Sequence, residues 1–128
     1  MLRQFSEKGV RLSICTNKPY LPSKKVLTQL GISNFFDAVI GGDSLNGIRK
    51  PDARPLLAAL APLKVDKELA LVVGDSQNDI LGAKNAGLKS VVVSFGYSNI
   101  PVARLGAEWI ISDFSELIEI FRDTSPFK

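Results

Sequence analysis

Short apolar runs alternate along the chain with stretches whose apolar residues recur at helical spacing. The runs are residues 10–15, 38–40, 69–73, 90–93 and 109–111. Apart from Arg11 and Ser13 in the first, the runs lack the period-two polarity of a half-exposed strand, and they predict strands covered on both faces. Predicted helices lie between them. Residues 1–8 place Leu2 and Phe5 on one side, 22–30 carry Val26, Leu27 and Leu30, 55–60 turn Leu56, Leu57 and Leu60 inward, and 80–86 are small and helical. Gly9, Gly31 and Gly87 follow three of these as stops. A brief helix is expected to open at Asn99-Ile100-Pro101 and end at Gly106. Asp113 and Glu116 form a capping box for a last helix through Phe121, and 123–128 read as a frayed tail. Helix and strand alternate throughout, with no linker or low-complexity segment. The expectation is one α/β domain over 1–128, three-layered around a mostly parallel sheet.

The most informative stretch is 69–87, L-A-L-V-V-G-D-S-Q-N-D-I-L-G-A-K-N-A-G. An apolar run ends at Gly74, and Asp75 and Asp79 flank the polar turn into a helix. In an open α/β sheet, ligands bind at the carboxyl ends of the strands. Carboxylate oxygens grouped there suit a hard cation such as Mg²⁺, which commonly works beside a phosphate. The plainer reading is that Asp75 caps the helix. One Asp would satisfy it; a second four residues on, with a Gly before the first, favours the ligand reading. Two further polar sites stand at comparable places. Thr16 ends the first strand, and Lys50 closes the loop after the second. The Thr16 hydroxyl and Asn17 backbone N–H, near a helix N-terminus, can hold a phosphate oxygen. Lys50 offers a point charge to that phosphate and to the Asp75 or Asp79 carboxylate. Singly, each is an ordinary turn or surface residue; their order and strand-end placement carry the signal. Gly42-Asp43-Ser44 echoes Gly74-Asp75-Ser76, but Gly47 stands where a second Asp would be, and the echo reads as coincidence.

Composition narrows the field. The 128 residues are 45% hydrophobic and 23% charged, an ordinary globular mixture. The net charge of +3 is scattered, so nucleic acid is a poor partner. No apolar run approaches a membrane span, and the first residues do not form a signal peptide. The single cysteine, Cys15, reads as a small buried hydrophobe and forms no internal disulfide, which fits a reducing cytoplasm. The chain has no histidine. That removes Ser-His and Cys-His nucleophile systems, His-type zinc sites and His bases together. A Ser76 esterase fails for the same reason, and G-D-S-Q-N lacks the G-x-S-x-G turn.

S-I-C-T-N-K-P, R-K-P-D-A-R-P and V-V-G-D-S-Q-N-D-I-L-G-A-K-N-A-G resemble motifs II, III and IV of the haloacid dehalogenase superfamily, in its phosphoglycolate phosphatase-like branch. The likeness extends to G-A-E-W-I-I-S near the end. It implies a Rossmann-like core, Mg²⁺ dependence and hydrolysis of a small phosphorylated metabolite through a phosphoaspartate. On that likeness Thr16 and Lys50 grip phosphate, Asp75 is a metal ligand, and Asp79 supports the metal, directly or through water, and orients Lys50. The family's first motif, D-x-D-G-T, supplies the nucleophile; no D-x-D occurs in this chain, and the family's cap domain is missing too. The expectation is therefore a partial phosphatase, inactive alone, or a non-catalytic phosphate- and Mg²⁺-binding module. A receiver-like domain fails on order, since its acidic residues precede its Thr. In the family the strand bearing that motif lies between the strands that here are 10–15 and 69–73. The expectation is that these two close up and pair directly, or that a strand of another copy or of a missing N-terminal fragment fills the slot.

Overall fold

The computed structural model describes residues 2–94 and 101–123. The apolar runs become five strands: β1 (Leu12–Cys15), β2 (Phe36–Ile40), β3 (Leu71–Gly74), β4 (Lys89–Val93) and β5 (Trp109–Ile111). The helices are α1 (Leu2–Glu7), α2 (Tyr20–Gln29), α3 (Ala53–Leu60), α4 (Gln77–Ala86) and α5 (Ser115–Asp123). β1 starts later than the apolar run because the Val10 N–H donates to Phe5 O, closing the end of α1. Three helices start earlier than their apolar residues suggest, because polar residues open them. Asp52 caps α3 by accepting from the Arg54 N–H, and Ser76 is the N-cap of α4. Asp43 accepts from the Tyr20 N–H at the start of α2. Pro22 then sits inside the first turn of α2, where its missing N–H has no intrahelical partner to lose. Gly87 ends α4 at φ 75°, the left-handed conformation that favours glycine. One half of the Asp113–Glu116 capping box forms: the Asp113 N–H donates to Glu116, while the Asp113 carboxylate accepts the Ser115 N–H rather than that of Glu116. The predicted opening at Asn99 and the tail from 124 lie outside the described residues; Val102–Arg104 is a short 3₁₀ turn.

All strand pairs are parallel, and helices cover both faces. On one side Phe5 of α1 and Leu117 of α5 pack with Val91, Val93 and Ile111, joined by Leu12 and Leu71. On the other Leu56 of α3 and Ala83 and Ala86 of α4 pack with Leu88, Cys15 and Val72. Neighbours such as Leu71 and Val72 point to opposite layers, which is why the strands read as continuous apolar runs. The three-layer α/β architecture is as the pattern predicts. No helix among the described residues is long and apolar enough to cross a membrane.

The sheet, however, is in two pieces. β1 pairs only with β2, and β3–β4–β5 form a separate sheet. The expected direct pairing of β1 with β3 does not occur. A cavity of about 420 Å³ lies between them, lined by Leu12, Ser13 and Ile14 on one side and Leu71, Val72 and Val73 on the other. Two features set the separation. α3 packs on β1 and β2 and also against α4, bridging the halves through one helical layer. At the carboxyl ends Lys50 stands between them: its Nζ donates to Cys15 O and to Asp79, whose other oxygen accepts the Asp75 N–H.

Candidate phosphate and metal site

The carboxyl ends of β1 and β3 open onto a second cavity, of about 770 Å³. Thr16, Asn17, Lys50, Asp75 and Asp79 all line it, although they lie far apart in the sequence.

At the end of β1 the Thr16 N–H donates to Ile40 O at 2.9 Å, and its Oγ1 accepts from the Lys18 N–H at 3.1 Å. The hydroxyl proton stays available to an anion. Asn17 acts through its side chain in a way the sequence does not announce. Its Oδ1 accepts from the Lys50 N–H at 3.0 Å and its Nδ2 donates to Lys50 O at 3.1 Å, a two-point clamp on the main chain of a residue 33 positions away. Gly41 and Gly42 let the loop after β2 come close enough: a Cβ on Gly42 would collide with the Asn17 carbonyl.

Lys50 reaches the cavity floor with its side chain 9% exposed. Its Nζ lies 2.7 Å from Cys15 O and 2.5 Å from Asp79 Oδ1. An ammonium has three donors, so one remains for a ligand. Asp79 is fully engaged: its Oδ2 accepts from the Asp75 N–H at 3.0 Å and from the Ser76 N–H and Oγ at 3.2 Å each. Burial alone would push this carboxyl up. The Lys50 charge and hydrogen bond and the two amides outweigh it and hold Asp79 below the usual carboxylate range. Burial pushes the Cys15 thiol up, Lys50 opposes this and Asp79 adds to it, with a net rise. A thiol held in its protonated form is a poor nucleophile, in keeping with Cys15 as core.

Asp75 is exposed, and among the described residues its carboxylate accepts no hydrogen bond. It does not cap α4; Ser76 does, with Asp79 reaching back to the Ser76 N–H. The S-x-x-D spacing signals that arrangement in the sequence, but Asp75 drew the cap one residue too early. The Gly42-Asp43-Ser44 echo proves structural. Asp43 sits on the N-terminus of α2, and Ser44 Oγ accepts the Gly41 N–H at 2.8 Å. The N-terminus of α2 thus carries its own carboxylate, and on the β1 side the groups lining the cavity that can face an anion are Thr16, Asn17, Lys18 and Lys50. No cluster of three His, Cys, Asp or Glu side chains able to hold a metal occurs among the described residues. A cation here would meet one open carboxylate, Asp75, with water and a ligand's oxygens completing its shell, a pattern Mg²⁺ accepts.

Residues 1–93 match the haloacid dehalogenase-like hydrolase family. The phosphoglycolate phosphatase of Rhodospirillum rubrum is 46% identical over 117 residues, which are 91% of this chain and 48% of that protein. That of Caulobacter vibrioides is 44% identical over 117 residues, covering 91% of this chain and 49% of its own length. The crystal structure of a predicted phosphoglycolate phosphatase from Haemophilus somnus has a TM-score of 0.87 at 36% identity, over 93% of this chain and 53% of that one. The chain spans about half the length of the curated relatives it matches.

Proposed function

Because the chain belongs to the haloacid dehalogenase-like hydrolase family, we propose that it forms the phosphate-gripping part of a Mg²⁺-dependent phosphomonoesterase of the phosphoglycolate phosphatase kind. The observation that carries this reading is Lys50. It is fixed by Asn17, Cys15 O and Asp79, and it keeps one N–H for an anion at the mouth of the parallel strands. In this reading Lys50 and the Thr16 hydroxyl bind the phosphate oxygens, with the Asn17 backbone N–H beside them. Asp75 holds Mg²⁺, which offsets phosphate charge when bound. Asp79 orients Lys50 and, at most through water, supports the cation. The attacking carboxylate belongs to a D-x-D segment that this sequence does not contain. The substrate is a small phosphorylated metabolite, met in the cytoplasm.

Inorganic phosphate with Mg²⁺, titrated into the ¹⁵N-labelled chain, should shift Thr16, Asn17, Lys50 and residues 74–79 first. Lys50→Ala, checked for folding by circular dichroism, and the milder Thr16→Ala should both weaken binding, while Lys64→Ala, an exposed lysine after α3, should not. Equal losses at Lys50 and Lys64 would mean diffuse electrostatics and end the proposal.

The isolated chain should show no Mg²⁺-dependent turnover of p-nitrophenyl phosphate. It has neither the D-x-D nucleophile nor a histidine base. Turnover that survives purification and vanishes in Asp75→Ala would make this chain an enzyme by itself and overturn the assignment of a partial site.

A further inference from the structure

We infer that Asn46 is a self-modification site: the Asn46–Gly47 turn closes to a succinimide and reopens as isoaspartate, and that product loosens the loop that carries Lys50. This does not rest on the phosphatase reading.

The reaction needs a backbone nitrogen free to attack the side-chain amide of the residue before it, and the asparagines among the described residues differ in this. After Asn17 the Lys18 N–H donates to Thr16 Oγ1, and after Asn34 the Phe35 N–H donates to Ile32 O. Asn78 and Asn85 lie inside α4, whose regular backbone keeps the next nitrogen from turning onto the side chain, and Asn85 Nδ2 also donates to Pro51 O. Asn46 is the one asparagine followed by glycine. Both residues are exposed, and neither the Asn46 side chain nor the Gly47 N–H makes a hydrogen bond among the described residues. Nothing crowds Gly47 where a side chain would stand.

The backbone is already part-way to the ring. Asn46 and Gly47 have φ of 54° and 82°, and the Ile48 N–H donates to Leu45 O at 3.1 Å. These are the marks of a type I′ turn. Rotating the peptide plane between the two central residues converts it to type II′ with the Leu45–Ile48 bond still closed. Asn46 then keeps its positive φ and takes a ψ of about −120°, while Gly47 accepts a φ of either sign. That ψ brings the Gly47 nitrogen onto Asn46 Cγ in the geometry of a five-membered ring. A positive φ is uncommon outside glycine, so the fold presets half of the reactive conformation.

The Gly47 nitrogen bonds to Asn46 Cγ, its proton passes through solvent to the departing amide nitrogen, and ammonia leaves. Water then opens the ring at either carbonyl and returns a proton to the Gly47 nitrogen. Opening at the backbone carbonyl routes the chain through Cγ and leaves isoaspartate, one carbon longer; opening at Cγ leaves aspartate. Both ends of this loop are tied. The Gly42 N–H donates to Lys18 O, Arg49 Nε donates to Gly42 O, and the Lys50 N–H donates to Asn17 Oδ1. An added backbone carbon between those ties strains the Lys50 end.

The full chain is incubated at neutral pH below its melting temperature, beside the same chain in urea, and peptide mass mapping follows the exchange of amide for acid. Residue 46 should convert first in both, at rates within about tenfold of each other, and mostly to isoaspartate. Gly47→Ala should slow it by about tenfold. Protection of Asn46 in the folded chain by much more than that, or earlier conversion at Asn17, Asn34, Asn78 or Asn85, overturns the inference. In the purified isoaspartate form the Lys50 amide should exchange with solvent faster than in the parent. Asn46→Asp adds the same charge without the extra carbon and should leave that amide unchanged. Equal Lys50 exchange in the isoaspartate and parent forms, or faster exchange in Asn46→Asp as well, refutes the link to the loop and with it the inference.

Discussion

Asp79→Ala should lower the unfolding free energy of the chain by about 3–5 kcal/mol, because it breaks a buried ion pair from one side. Lys50 would keep only Cys15 O and Asn17 as partners, and the Asp75 and Ser76 N–H groups would lose their acceptor. Asp75→Ala should change stability by less than about 0.5 kcal/mol, as expected of an exposed side chain that holds nothing. Urea denaturation of the two variants beside the parent makes the comparison, and a loss near zero at Asp79 would mean that the pair is solvated. The pH dependence has a definite sign. Asp79 is held below its ordinary value by the folded structure, so its contribution is complete above the unfolded carboxylate pKa, about 4. It drains away as pH falls through the lower folded value. The gap between parent and Asp79→Ala should therefore be flat across neutral pH and close only in acid.

Gly42→Ala should be the other severe change, at about 3 kcal/mol, the upper part of the usual range for overpacking. The added Cβ would stand on the carbonyl of Asn17 and 2.9 Å from Arg49 Nε. A side chain could turn aside, but Asn17 is pinned at both its amide atoms to the Lys50 backbone, so its main chain cannot retreat cheaply. Ala in place of Gly47, which has open space around it, meets only the strain of a φ of 82°. Thermal unfolding should rank Gly42→Ala well below Gly47→Ala. The reverse order would show that the 17–42 approach is slack.

The alternating apolar runs gave the layers and the parallel strands, because a strand buried on both faces has to be apolar throughout. The grouping of Thr16, Lys50, Asp75 and Asp79 was legible for a related reason: parallel strands bring their carboxyl ends to one edge whatever the sequence distance. The division of labour between the two aspartates was not. Asp75 and Asp79 have the same side chain, and only the backbone path at Gly74, where a Cβ would collide with Asp79, decides which turns inward. The Asn17 clamp left no local trace, since a hydrogen bond across 33 residues has no periodicity. The closure expected of β1 and β3 failed because counting unpaired ladder groups takes no account of what stands between strands. One lysine and one helical layer hold the two sheets at their distance.

Lys50 has a consequence for any mutational scan of this protein. A screen that reads only cellular abundance would score Lys50 and Asp79 like core leucines, since losing either partner destabilises the chain enough to draw proteolysis. Thr16 and Asp75 would pass that screen untouched and drop out only under selection for ligand binding. The two readouts together would divide the cavity into residues that frame it and residues that grip, and Lys50 alone would belong to both sets.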